Sequence, residues 1–330
     1  MYFNTQDNST DMNREALYGF GKFLQEYEVI VSFKIDEEDR KPLILGEKQF
    51  VCRFCGKHKP EVTFWKRAHA LPQLIGNRSL FTHYECDDCN GRFGRELEVH
   101  FGNFMQLNHT MFGVRGKKGY PKFKLTGGSE IINDGGLIDW NGIPQDQLKY
   151  DEETRTLTAR QKVSSFVPMN VFKTLVKMAL AIMPQQDINT FTDTIKWLNS
   201  PVNDTGFTVS NLWLLYGAID SSDRFPHIGA SLLKRKKLTD FDLAPMIFRL
   251  NYGNFQFDVP VPMFYEEKMI PCKQLPYLPN RFDLRDGYGA MELRFIDFSF
   301  NGPVNNHSMT FELIDKDGTG TVETIKEEVS

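Results

Sequence analysis

The sequence lacks any run of 18 consecutive apolar residues, and its first 17 residues lack the basic start and apolar centre of a secretion signal. We therefore expect no membrane-spanning helix, no membrane partner and a cytoplasmic protein. Internal repeats, low-complexity tracts and coiled-coil heptads are also missing, which excludes repeat arrays and fibrous proteins.

The whole chain also lacks a large excess of either positive or negative charge. The formal net charge of the 330 residues is only -4, so bulk charge does not predict a polyanion-binding protein. Residues 49–124, however, contain 13 Lys or Arg against six acidic residues, a net charge of about +7. This local basic region favours contact with nucleic-acid phosphates. A solvated basic loop is the alternative for Lys117 and Lys118.

Cysteine is equally scarce, and four of the five cysteines form two C-x-x-C pairs, Cys52 with Cys55 and Cys86 with Cys89. In a reducing compartment such pairs are more often metal sites than disulfides. Four thiolates favour tetrahedral zinc; a redox motif or two unrelated buried pairs are the alternatives. Because four thiolates leave no open coordination position, this zinc would stabilise the fold and not catalyse.

The hydrophobic pattern indicates both helices and strands. A content of 41% hydrophobic residues supports a full core and more than one structural unit. From about residue 125 onward, short strand-like runs alternate with turn signals, which indicates an antiparallel sheet with a helical hairpin packed on it. Helical spacing occurs at 13–26, 168–184 and 187–199, and strand-like patterns at 28–35, 244–253, 255–264 and 290–300.

The 30 residues between the two cysteine pairs are more than a simple zinc ribbon needs. The segments VTFW (62–65) and LFTHY (80–84) resemble the two strands of a hairpin, and Gly76-Asn77 can turn the chain between them. NGRFGRELEVHF (90–101) then indicates a short helix. The predicted order is strand, loop, strand, helix.

This order resembles the HNH endonucleases of the zinc-bound ββα-metal type. The matching elements are the two C-x2-C pairs, His69-Ala-Leu-Pro72, Gly76-Asn77, and Asn90 directly after the second pair, followed by a helix with Phe93, Gly94, Leu97 and Glu98. The resemblance covers about 50 of the 330 residues and is specific in the combination of its elements. It is closest to the subgroup found in bacterial and phage defence proteins, where a separate domain accompanies the nuclease.

The resemblance implies roles for individual residues. His69 would take a proton from the attacking water, and Asn77 would orient the imidazole through its carbonyl oxygen. Asn90 would ligate a catalytic Mg²⁺ or Mn²⁺ ion, with Glu98 as a further candidate ligand. The expected substrate is DNA, with RNA left open. Candidate phosphate contacts are Lys66, Arg67, Arg92 and Arg95.

The sequence departs from the family pattern at Ala68, where many members carry an acidic residue or a histidine that binds the metal. Glu98 and His100 are the candidate replacements. Two hypotheses follow: a metal-dependent DNA endonuclease with a role as a defence effector, or a non-catalytic zinc module that binds nucleic acid or protein. A third interpretation is a zinc-stabilised structural protein.

We therefore expect an α+β protein, with a small zinc-stabilised ββα-metal module attached to a larger, mainly antiparallel α+β domain. The expected boundaries are an N-terminal extension at 1–48, the nuclease module at 49–124 and the larger domain at 125–330. The larger domain carries no Walker loop and no Ser-His-Asp arrangement. Its role is left open among regulation, sensing of an activating small ligand, homo-oligomerisation and DNA positioning.

Overall fold

The structure, a computed structural model, describes residues 21, 23–36, 38, 41–124, 130–133, 138–141, 148–219, 224–237, 243–272, 274–276, 278, 291–305, 308–314 and 324–329. The mixed α+β class expected from the sequence is confirmed. The strands are β1 Tyr27–Ile35, β2 Leu43–Leu45, β3 Ala68–His69, β4 Leu80–Thr82, β5 Lys122–Lys124, β6 Glu130–Asn133, β7 Ile138–Asn141, β8 Leu148–Asp151, β9 Thr156–Lys162, β10 Trp213–Ile219, β11 Ile228–Arg235, β12 Met246–Tyr252, β13 Phe255–Pro260, β14 Phe264–Tyr265, β15 Lys268–Met269, β16 Met291–Asp297, β17 Ser308–Ile314 and β18 Thr324–Val329. The helices are α1 Asp87–Phe93, α2 Val99–Met111, α3 Pro168–Ile182, α4 Gln185–Ile188 and α5 Thr192–Asn199.

The largest sheet has six antiparallel strands in the order β1-β11-β12-β13-β10-β16. β12 and β13 lie at its centre and are almost entirely buried, and Arg249 and Asp258 form a buried ion pair between them. The other sheets of the larger part are β5-β6-β7, β8-β9-β17-β18 and the hairpin β14-β15. The expected antiparallel pairing is therefore present between all paired strands of these sheets.

A small sheet of three strands carries the predicted histidine. β3 pairs antiparallel with β4, so that His69 lies opposite Phe81, and β2 adds to the other side of β4 in the parallel direction. The prediction of a strand at 62–65 is wrong, since these residues form no strand. The Asp87 carboxylate accepts hydrogen bonds from the backbone N–H groups of Trp65 and Lys66. A side chain thus satisfies the groups that a partner strand would have used.

The helix after the second cysteine pair is longer than the sequence indicated. It begins at Asp87, continues through a π-helical turn at Gly94–Glu98 and ends at Met111. The helices expected at 168–184 and 187–199 are confirmed as α3 and, after the short α4 and a 3₁₀ turn, α5. Of the helix expected at 13–26, residues 21 and 23–26 are described and helical; the others lie outside the described residues.

The hydrophobic core runs across the expected boundary at residue 124. One cluster of buried side chains includes Phe54 and Phe101 from residues 49–124 together with Phe172 and Phe257 from residues 125–330. Helix α3, which begins with Pro168 in its first turn, packs against α2 and against β12. Arg53 donates to the carbonyl oxygens of Leu180 and Met183 and so caps the C-terminal end of α3. None of the described helices is long and apolar enough to cross a membrane.

Candidate active site

The four cysteines of the two pairs come together, as the sequence predicts. Their Sγ atoms all lie within 4.8 Å of one another, and the Sγ atoms of Cys55 and Cys86 are 3.8 Å apart. Four zinc–sulfur bonds of about 2.3 Å in a tetrahedron require sulfur–sulfur distances of about 3.8 Å. The cluster therefore fits a structural zinc ion.

Local geometry brings each pair into position. After the first pair the chain turns at Gly56, whose φ of +71° is a left-handed conformation that favours glycine, and the Gly56 N–H donates to the carbonyl of Cys52 at 2.9 Å. The second pair opens helix α1, where Cys86 is the N-cap residue and its sulfur accepts a hydrogen bond from the Cys89 N–H. A zinc ion would thus fix the start of the helix that carries Asn90 and leads to Glu98.

His69 lies at the end of β3, is partly exposed, and packs its ring against Phe81 with 4.6 Å between the ring centroids. Its imidazole makes no hydrogen bond to any residue that the structure describes. Burial, followed by the positive charges of Lys177 and Lys117, lowers the pKa of His69 to about 4. The imidazole is therefore neutral at pH 7 and able to accept a proton, but it is a weaker base than an imidazole of ordinary pKa.

Lys177 of helix α3 contacts the backbone of this histidine. Its Nζ donates to the backbone carbonyl of His69 at 3.3 Å. The same ammonium lies 3.1 Å from Oε2 of Glu85 and 3.5 Å from Oε1 of Glu98. The side chains of Lys177 and Glu85 are only 1% and 0% exposed, so this is a buried ion pair that joins the larger part of the protein to residues 49–124.

The charges in this cluster oppose the cost of burial. Burial raises the pKa of Glu85 to about 7, although Lys177 opposes the shift. Burial alone would lower the pKa of Lys177, but the charges and hydrogen bonds of Glu85 and Glu98 outweigh it, and the pKa is raised. Lys177 is therefore a fixed positive charge close to His69.

Asn77 is fully buried, and its amide binds the loop between β3 and β4. Nδ2 donates to the carbonyls of Leu71 and Leu80 at 2.6 and 3.0 Å, and Oδ1 accepts from the backbone N–H groups of Ser79 and Leu80. The oxygen that the resemblance assigns to orienting the imidazole is thus bonded to the backbone. Asn77 shapes the loop that follows the histidine, which differs from the contact expected for it.

The candidate ligands of a catalytic ion lie on the helix after the second cysteine pair. The Asn90 side chain is partly exposed and has no hydrogen bond to a described residue, so its carbonyl oxygen is available. Glu98 already faces Lys177, and Nδ1 of His100 accepts a hydrogen bond from the backbone N–H of Val167. Within the described ranges, the cysteine cluster is the one group of three or more His, Cys, Asp or Glu side chains that could hold a metal.

The expected phosphate contacts divide into two groups. Lys66, Arg67 and Arg95 are exposed, and the Arg67 guanidinium lies 5.9 Å from the ring of Phe81, the residue that also packs on His69. Arg92, in contrast, is partly buried and donates to the side chain and backbone carbonyl of Asn199 at the end of α5. Arg92 thus holds helix α1 to the larger part of the protein, which differs from the phosphate contact expected for it.

Sequence reasoning missed Lys177 as a site residue and left Lys117 undecided. Lys177 lies four positions after Lys173 in an otherwise apolar helix, and a lysine on an apolar face is a signal for a buried charge partner. The charge of Lys117 contributes to lowering the pKa of His69, and the loop that carries it is held by a hydrogen bond from Arg78 to Gly116. The basic loop therefore lies beside the site.

Comparison with known proteins supports the assignment of this segment. No curated protein and no solved structure matched the chain. A protein-family model described as HNH endonuclease matches residues 52–106, which include the zinc cluster, His69, Asn77, Asn90 and Glu98. Residues 52–106 of this chain are therefore similar to HNH endonucleases.

Proposed function

We propose that this protein is a metal-dependent endonuclease that hydrolyses phosphodiester bonds of DNA, with His69 as the general base. The observation that carries the proposal is the neutral, partly exposed imidazole of His69 within a zinc-binding HNH segment. Its ring nitrogens have no described hydrogen-bond partner, and cationic side chains surround it. A neutral base beside positive charge is what attack on an anionic phosphodiester requires.

In the proposed reaction, a water molecule gives a proton to the His69 imidazole as its oxygen bonds to phosphorus. One P–O ester bond breaks, and the leaving oxygen takes a proton from solvent. Lys117 and Arg67 would attract the phosphate to the site. The negative charge of the bound phosphate would also raise the pKa of His69 from about 4 toward neutrality and so strengthen the base.

Asn90 and Glu98 would hold the catalytic Mg²⁺ or Mn²⁺ ion. One carboxylate and one amide oxygen fit such an ion, which commonly takes its other ligands from water and from substrate phosphate. Bound there, the ion would neutralise charge on the phosphate and on the leaving oxygen. Lys177 would hold the Glu98 carboxylate in place through their 3.5 Å contact.

Ala68 favours a second candidate function, a non-catalytic zinc module that binds nucleic acid or protein. The Ala68 side chain is buried and offers no ligand atom, and the nearest carboxylate candidate, Glu98, is already paired with Lys177. Both observations weaken a metal site without altering the zinc cluster.

Plasmid cleavage separates the two candidates. Purified protein would be incubated with supercoiled plasmid and Mg²⁺ or Mn²⁺, beside His69→Ala and a matched control, His83→Ala, which removes another partly exposed histidine of the same segment. We expect wild type and His83→Ala to nick the plasmid and His69→Ala to leave it intact. Cleavage by His69→Ala would reject the base assignment. An inactive wild type with zinc bound would favour the binding module.

Several broader roles are also proposed. A cytoplasmic location agrees with four cysteines arranged for zinc, since a reducing compartment keeps thiols available. A role as a defence effector rests on the resemblance to nucleases of that class. Activity on RNA is a further proposal about the substrate. Homo-oligomerisation or binding of an activating small ligand would give the larger part of the chain a function in controlling the nuclease.

A further inference from the structure

Trp65 has the most exposed large apolar side chain among the described residues, at 84% of its full accessible surface. The indole ring makes no hydrogen bond and no ring contact with any residue that the structure describes. One exposed apolar side chain is by itself ordinary on a protein surface. The backbone and the charged neighbours of this ring are what indicate a binding role.

The backbone that carries this ring is held firmly. The carboxylate of Asp87, in the first turn of α1, accepts hydrogen bonds from the Thr63 hydroxyl at 2.5 Å, the Trp65 N–H at 3.0 Å and the Lys66 N–H at 2.9 Å. Buried Val62 anchors the chain just before these residues. An exposed aromatic ring on a fixed backbone loses less conformational freedom on binding than one on a flexible loop.

The neighbours of the ring indicate the chemistry of its partner. Lys66 and Arg67 follow it directly, and both are exposed and basic. His69 is four residues away, a distance that an extended chain spans in at most about 14 Å. This upper limit corresponds to at most about four base steps at 3.4 Å each. Basic side chains for phosphates, next to an exposed aromatic ring, are the combination that binds exposed nucleotides.

We infer that Trp65 is a base-stacking site, at which the indole ring stacks on an unpaired DNA base a few nucleotides from the bond that is cut. This inference rests on the proposed nuclease function and adds a binding preference to it: DNA with an unpaired base near the cleavage position. Lys66 and Arg67 contact the flanking phosphates, while the ring itself contributes no charge.

Binding to two DNA probes tests the inference. A duplex with one unpaired thymine and the same duplex fully paired would be titrated with full-length protein, without added divalent cation so that the DNA stays intact. We expect Trp65→Ala to bind the bulged duplex about 10-fold more weakly, in the range measured for loss of one base–aromatic stack, and the paired duplex less than 2-fold more weakly. Trp65→Phe keeps a ring and should lose about 3-fold or less.

Two further readouts exclude a merely structural effect. Tyr265→Ala removes another exposed aromatic side chain, in the β14-β15 hairpin, and should leave both affinities unchanged. Trp65→Ala should not alter the slope of log affinity against log salt, whereas Lys66→Ala should reduce it by about 0.9. Tryptophan emission of the wild type should fall when the bulged duplex binds, and Trp65→Phe should lack this change.

Equal affinity of wild type and Trp65→Ala for the bulged duplex would overturn the inference, and so would an equal loss on both probes. In either case the exposed ring serves another contact, such as a protein surface. Plasmid cleavage is scored separately. Stacking without cleavage keeps Trp65 as a base-stacking site but rejects the nuclease and the position of the site relative to a cleaved bond. Cleavage without stacking keeps the nuclease and rejects the stacking site.

Discussion

Replacing Lys177 with methionine would leave the Glu85 carboxylate in the protein interior without its ammonium partner. The two side chains are 1% and 0% exposed, and their charged atoms lie 3.1 Å apart. Glu98 is 3.5 Å from the same ammonium but is 24% exposed, so water solvates part of its charge. The loss of Lys177 therefore affects Glu85 far more than Glu98.

The magnitude follows from this geometry. At an effective dielectric constant of about 20, two unit charges at 3.1 Å attract each other by about 5 kcal/mol. Desolvation of both ions offsets much of that gain, so the pair itself adds little net stability, whereas removal of one partner costs about 3–5 kcal/mol. We expect Lys177→Met to reduce the free energy of unfolding by this amount, a large fraction of the roughly 5–15 kcal/mol of a typical domain.

Urea unfolding at pH 8, with zinc in the buffer, measures this loss. The double variant Lys177→Met with Glu85→Leu removes both charges and should recover most of the stability lost in the single variant. Lys173→Met is the matched control, because this buried lysine of the same helix donates to the carbonyls of Trp197 and Ser200. Glu85→Leu should not rescue it. A loss below about 1 kcal/mol in Lys177→Met, or a double variant no more stable than that single variant, would refute the reasoning.

Three other predictions concern metal, pH and DNA. Cys89→Ser should abolish zinc binding and unfold the segment around residues 52–106, because the four sulfurs lie within 4.8 Å of one another and would share one ion. Elemental analysis measures the zinc, and helical circular dichroism measures the unfolding. A folded, zinc-loaded variant would contradict this. Because the base must be unprotonated and the pKa of His69 in the free protein is lowered to about 4, kcat/KM for cleavage, which reports the free protein, should be constant above about pH 5. It should fall tenfold per unit below the pKa, wherever circular dichroism shows intact protein. Lys117→Ala removes one of the charges that lower this pKa and should move the acid limb to higher pH; an unmoved limb would mean that another group controls the rate. The same variant should weaken DNA binding and reduce the salt slope by about 0.9, with Lys268→Ala, on the β14-β15 hairpin, as the exposed-lysine control.

Most of the local structure could be predicted from the sequence, because it depends on short-range spacing. Two residues between paired cysteines are enough to form a knuckle, so the zinc cluster was predictable from Cys52, Cys55, Cys86 and Cys89 alone. Helix α3 and strand β1 were predictable for a similar reason, since their apolar residues recur with helical and strand periods. The order of the HNH elements adds the position of His69.

The tertiary structure decided which of these residues remain available to a substrate. Arg92 and Asn77 have the residue types of a nucleic-acid contact and a catalytic amide, yet Asn199 and the loop backbone bind them. The first expected strand fails because Asp87, more than 20 residues away, binds its backbone.

Lys177 is the clearest case of a site residue that the sequence could not predict. It contacts the backbone of His69 from 108 positions away, and no spacing rule connects residues that far apart. The sequence by itself determined the four-cysteine cluster, the position of the histidine and the similarity of residues 52–106 to HNH endonucleases, because each depends on a local pattern. Only the fold decided the charge around that histidine, because burial and long-range packing set the pKa of His69 and place Lys177 beneath it.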